Sequence, residues 1–154
     1  MELYLFRHGE AESAGPAGDD ARELTAKGRN DVRRTAEALA RAGAKPERIY
    51  ASPLVRARQT AEIAGQALGV AWQTDDRLRP GATLGQVQAL LAAGQWQRVV
   101  LVGHEPDLST IIGQLTGGRV KMRAGGVARV DSDRIEPGAG VLLLLTSPDM
   151  LAGT

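Results

Sequence analysis

The chain is expected to fold as a three-layer α/β/α protein around a mostly parallel sheet. Short apolar runs closed by Gly and polar residues, Leu3–Phe6, Ile49–Ala51 and Val99–Val102, read as buried strands. Helical-period segments lie between them, giving the order β-α-β-α-β-α-β-α-β-β over 154 residues. Strands that are apolar along their whole length must be covered on both faces, which places helices above and below the sheet. The length suits one domain with a single proper core, taken to span 1–154.

The elements follow in order. After the Leu3–Phe6 strand, a polar loop from Ala14 to Arg22 lacks periodicity and is expected to cover one side of a site. A helix runs from about Thr25 to Ala42, with Val32, Ala36, Leu39 and Ala40 at helical spacing and Gly43 as its C′ residue. Gly28 in its first turns is a mild cost. The strand Ile49–Ala51 ends at Ser52-Pro53, read as an N-cap with proline at N1, opening a helix to Leu68 that stops at Gly69. A third strand is expected near Val70–Gln73. Thr83 and Gln86 form a capping box that opens a helix with Leu84, Val87, Leu90 and Leu91 facing inward. The Val99–Val102 strand follows, then a helix opened by Pro106 or Asp107 that carries Ile111, Ile112 and Leu115. Val127–Val130 and Val141–Leu145 close the chain as an antiparallel pair or sheet edge. The second of these, the most apolar run, is expected to be a core strand.

Hydrophobic content of 43% and charged content of 24% fit a folded globular chain. Neither a span of some 20 apolar residues nor a signal-peptide pattern is visible, so a cytoplasmic location away from membranes is expected. Without cysteine there is no disulfide framework, thiol catalysis or cysteine metal site. A net charge of +1 with 3% aromatics argues against nucleic-acid binding.

The two histidines carry the chemistry. His8 follows the first strand within Arg7-His8-Gly9, and His104 follows the fourth within Gly103-His104-Glu105-Pro106. Carboxyl ends of strands in an open α/β sheet are where ligand crevices form. Ser52 ends another strand, and the helix after it should aim its N-terminus, with Arg56 one turn in, at the same edge. Two guanidiniums, two imidazoles and a helix dipole without an obvious carboxylate suit a phosphoryl group, whose oxygens match arginine forks. Packed, hydrogen-bonded histidines are the alternative for either residue alone. A metal site fits poorly, because the arginines repel a dication and no Asp/Glu cluster completes a shell. P-loop, GxGxxG and GxSxG motifs are absent, so no cofactor is expected.

Three segments resemble the histidine phosphatase superfamily, which includes the phosphoglycerate mutases. They are Leu5-Phe6-Arg7-His8-Gly9-Glu10, Ser52-Pro53-Leu54-Val55-Arg56-Ala57-Arg58-Gln59-Thr60-Ala61 and Val102-Gly103-His104-Glu105-Pro106. They stand in the family's order. The short length, Arg22-Glu23-Leu24-Thr25-Ala26-Lys27-Gly28 and Ala124-Gly125-Gly126-Val127-Ala128-Arg129 resemble its SixA-type phosphohistidine phosphatases. The resemblance implies a phosphoglycerate mutase-like fold and a metal-independent phosphatase. It also implies that His8 takes the phosphoryl group covalently while Arg7, Arg56 and His104 hold its oxygens. Arg22 is either a further phosphate or substrate contact or a surface arginine paired with Asp19 or Asp20. The implied partner is a phosphohistidine-bearing signalling or phosphorelay protein. A small-molecule phosphomonoesterase and a non-catalytic phosphoprotein-binding module are the rivals.

One departure bears on the substrate. Mutases and many phosphatases of this superfamily carry a glutamate after the third strand as general acid, whereas Asp76-Arg77-Leu78-Arg79-Pro80-Gly81 has Pro80 at that place. An alkoxide leaving group needs a proton donor. An imidazole leaving from phosphohistidine does not when its other nitrogen is protonated. Asp75, Asp76 or Glu10 could still supply a proton, although turn and cap roles are the natural ones for the two aspartates.

Overall fold

The computed structural model describes residues 1–153. Six strands form one sheet in the order β3-β2-β4-β1-β5-β6, where β1 is Glu2–Arg7, β2 Arg48–Ala51, β3 Trp72–Thr74, β4 Arg98–Gly103, β5 Val127–Asp131 and β6 Val141–Thr146. The pairs among β1 to β4 are parallel, and β5 and β6 add antiparallel to β1. The helices are α1 (Ala26–Arg41), α2 (Val55–Leu68), α3 (Leu84–Ala93) and α4 (Asp107–Thr116).

Alternation along the central strands divides the core in two. Tyr4, Phe6, Val100 and Val102 point to the face covered by Val32, Ala36 and Leu39 of α1 and the alanines 57, 61 and 64 of α2. Leu3, Leu5, Val99 and Leu101 point to the face covered by α3 and α4, through Leu90, Ile111, Ile112 and Leu115. The helix after β1 therefore packs on one face and the helix after the adjacent β4 on the other, a switch point of the kind where ligands bind at the carboxyl ends of the strands.

Capping follows the sequence closely. Thr25 accepts the Gly28 N–H at the start of α1, and the Thr83–Gln86 capping box opens α3. At the end of α1, Gly43 (φ 85°) donates to Ala40 and Ala44 donates to Leu39, a Schellman motif.

Three expectations are corrected. Ser52 is not an N-cap: α2 starts at Val55 with Leu54 in that place, because the Ser52 N–H extends the sheet ladder to Val102 and its side chain turns elsewhere. The third strand lies at Trp72–Thr74, since the Val70 N–H is used by Gly65 to finish α2. Val141–Leu145 is not a core strand. It forms the outer edge, where Leu142 packs against the core beside α4 while Val141 is left 60% and Leu143 54% exposed. A register shift opposite Arg129 and Val130 marks this edge as irregular.

Candidate active site

Strand register puts the site residues in a row. Arg7 of β1 pairs with Gly103 of β4, and Ala51 of β2 pairs with Val102, so His8, His104 and Ser52 leave three neighbouring strands at one level. The His8 N–H donates to the Gly103 carbonyl, and the His8 carbonyl accepts from Gly125, which ties the loop between two strand ends.

His8 is fixed in orientation and tautomer. Its Nδ1 lies 2.7 Å from the Gly9 carbonyl oxygen, which only accepts, so the ring hydrogen is on Nδ1 and Nε2 keeps its lone pair. The Gly9 N–H donates to Thr60 Oγ1, which donates in turn to the Arg56 carbonyl, locking this loop to α2. Arg56 is only 5% exposed and directs Nε at His8 Nε2, 3.3 Å away. Burial lowers the His8 pKa to about 3, with His104, Arg56 and Arg7 adding to the effect against the Gly9 hydrogen bond. The ring is neutral at physiological pH.

His104 lies across from it, ring centroids 5.1 Å apart. Its Nε2 is 2.7 Å from Ser52 Oγ. The Leu54 N–H donates to that oxygen as well, and when the hydroxyl donates to His104 Nε2 the imidazole hydrogen sits on Nδ1. Burial, then the Arg56 charge, lowers the His104 pKa to about 4. Arg7 donates from Nη1 to the Met122 carbonyl at 2.9 Å. Two buried nitrogens have no partner among the described residues, and they are Arg7 Nε and His104 Nδ1. Both are donors in the tautomer above. Unsatisfied buried donors are rare and mark places where a polar ligand binds.

The structure thus brings together Arg7, His8, Arg56 and His104. Arg22 is not in this group. It donates from Nε to the Glu12 carbonyl and from Nη1 to Asp19 Oδ1, which is the ion-pair alternative open at the sequence level. Asp19 links it to the site, since the Asp19 carbonyl and Oδ2 accept from Arg56 Nη1 and Nη2 at 2.9 and 3.2 Å. The hydrogen bond from Arg22, followed by the Arg56 charge, holds the Asp19 carboxyl below the usual range. The loop from Ala14 to Arg22 does cover one side of the pocket, through this residue.

The carboxylates considered as proton donors are engaged elsewhere. Asp75 accepts the Arg77 N–H and its guanidinium, a capping role, and Asp76 pairs with Arg79. Glu10 takes the Thr25 hydroxyl and the Lys27 ammonium on the rim of a cleft that Arg7 also lines. Sequence reasoning missed Ser52 as a partner of His104, Thr60 as the lock on Gly9, and Asp19 on Arg56. Serine at the end of a strand beside the site was the one available signal.

The sequence model of the histidine phosphatase superfamily (branch 1) matches residues 3–81. An uncharacterized protein of Picosynechococcus sp. is 40% identical, with 98% of this chain and 99% of the relative covered. The phosphohistidine phosphatase SixA of Escherichia coli is 29% identical, covering 96% of this chain and 94% of SixA. A solved structure of the protein histidine phosphatase SixA complexed with tungstate superposes with a TM-score of 0.88 at 28% identity, over 98% of this chain and 99% of the other.

Proposed function

Because the chain belongs to the histidine phosphatase superfamily, we propose that its phosphatase chemistry is directed at phosphohistidine on a partner protein, through a phosphorylated His8. The observation that carries this reading is the His8 ring: neutral, with Nδ1 tied to Gly9 and an unprotonated Nε2 that accepts a 3.3 Å hydrogen bond from Arg56. Such a ring is a ready nucleophile that needs no base.

In the first step His8 Nε2 attacks phosphorus in line and the P–N bond to the substrate imidazole breaks. When the other nitrogen of that imidazole carries a proton, it departs as a neutral ring. His8 then holds the phosphoryl group on Nε2 and its proton on Nδ1, so one phosphoimidazolium replaces another and no general acid is required. Arg7 Nε and His104 Nδ1, the two unpartnered donors, donate to phosphoryl oxygens, and Arg56 exchanges Asp19 for a third. In the second step water attacks phosphorus, its oxygen joins the phosphate, its proton passes to phosphate or solvent, and neutral His8 is regenerated. Side-chain cations neutralise the charge, a role that needs no metal ion. Arg22 acts at one remove, holding Asp19.

The absence of a glutamate at Pro80, with Asp75 and Asp76 bound to arginines, favours this P–N substrate over an alkyl phosphate. The test is a comparison of kcat/KM on N-phosphoimidazole and a histidine-phosphorylated protein with that on alkyl and sugar phosphates. General acid catalysis contributes about 10²–10⁴-fold, so the P–N substrates should lead by at least about 10². Equal or faster turnover of monoesters identifies a small-molecule phosphatase instead. Binding of vanadate without turnover of any substrate identifies a binding module.

A further inference from the structure

Beyond the pocket, residues 118–123 lie outside helix and strand and carry cations at alternate positions, Arg119, Lys121 and Arg123. All three are exposed and make no ion pair with another described residue. Four residues of chain let them spread over at most about 14 Å. Their placement is tied to the site. Between them, buried Met122 accepts from Arg7 through its carbonyl, and its N–H donates to Ser109 Oγ, which donates to Glu105.

The surroundings of the strip are mixed in character. Arg123 shares a cleft of about 260 Å³ with Arg7. Arg119 and Lys121 line one of about 530 Å³ with Val120 and Glu105. Lys121 and Arg123 meet Leu145 and Met150 in a third of about 180 Å³, and Met150 is 77% exposed. Of the carboxylates nearby, Glu105 is occupied by the Ser109 N–H and hydroxyl, and Glu10 and Asp31 pair with Lys27. Asp149 lines the same cleft as Arg123 at one end of the strip, and Arg119 and Lys121 lie at the other. A phosphorylated metabolite would be held by the pocket alone, with no use for cations spread this far beside an apolar shoulder. A folded protein with acidic groups around an apolar patch matches both features.

We propose that Arg119, Lys121 and Arg123, with Leu145 and Met150 alongside, form a docking strip for an acidic protein surface surrounding the phosphohistidine. This deepens the P–N reading above and rests on it. The strip steers and holds the partner and does not touch the reacting atoms.

The test uses the double variant Arg119→Gln/Lys121→Gln with two substrates, a histidine-phosphorylated acidic phosphotransfer protein and N-phosphoimidazole. At low salt the KM for the protein should rise about tenfold with kcat within about twofold, as expected for lost electrostatic steering. Added NaCl should raise the wild-type KM and barely move that of the variant, and N-phosphoimidazole turnover should be unchanged. An unmoved protein KM overturns the strip while leaving the P–N reading intact. Equal losses on both substrates also overturn it, by placing these residues in the catalytic step. Binding of wild type, but not of the variant, to phosphatidylserine vesicles with an unmoved protein KM reassigns the strip to a membrane. Wild type inert on both P–N substrates overturns the functional reading, and the strip falls with it.

Discussion

A single carbonyl decides what His8 can do. Gly9 takes the Nδ1 hydrogen, so the lone pair on Nε2 faces Arg56, and burial keeps the ring neutral. His104 is the mirror case, with Nε2 given to Ser52 and Nδ1 left to donate. These lowered pKa values have a consequence for stability. An unfolded histidine titrates near 6.5, whereas the folded His8 and His104 do so at about 3 and about 4. Below pH 6.5 the unfolded chain binds more protons, so the stability these rings contribute is complete above that pH and is lost as pH falls toward 4. The slope is at most about 1.4 kcal/mol per pH unit for each ring. Thermal unfolding between pH 7.5 and 4.5 should show a falling Tm, with a shallower fall in His8→Gln; parallel curves would mean the folded ring titrates normally. The depressed carboxyls of Asp75 and Glu47 steepen the fall at the acid end, with the same sign. The meeting of His8, Arg7, Arg56 and His104 at one sheet edge was legible because strand ends and a helix start are local signals. The partners Ser52, Thr60 and Asp19 were not, because they depend on register between β2 and β4 and on a loop without periodicity.

At the scale of elements, close backbone contact positions the loop after β1. A methyl added at Gly28 of α1 would lie 2.1 Å from the Glu10 carbonyl oxygen, and one at Gly9 would lie 2.8 Å from the Gly28 carbonyl. Helix propensity alone marks Gly28 as a cost, so Gly28→Ala should stabilise by about 1 kcal/mol if propensity decided. Steric contact with backbone wins, since neither side can rotate away. The variant should lose about 2–3 kcal/mol, or about 5–10 °C in Tm, together with activity, because Glu10 follows the carbonyl that orients His8. A raised Tm would refute the contact. The edge strand β6 teaches the opposite lesson. Its run of leucines has the composition of a core strand, yet burial depends on what lies beside it, and that is set by topology. Caps at Gly43, Gly69 and Thr83 were legible because each is a local rule obeyed by neighbouring residues.

Across the whole molecule, β1 and β4 form a switch point because their following helices pack on opposite faces, and ligands bind at such points in open α/β sheets. Alternation of strand and helix foretold the layers, and the match in the 3–81 region with the histidine phosphatase superfamily agrees with them. The strand order, with β4 between β1 and β2, could not be read locally, and it is what brings the two histidines to 5.1 Å. The account stands on one covalent bond. Rapid mixing with a ³²P-labelled phosphohistidine protein, followed by an alkaline quench and peptide mapping, should place an acid-labile phosphoryl group on His8. His8→Ala should lose that label and at least about 10³-fold in turnover. A wild-type enzyme that turns over without a label on His8, or an alanine variant near the wild-type rate, would contradict it.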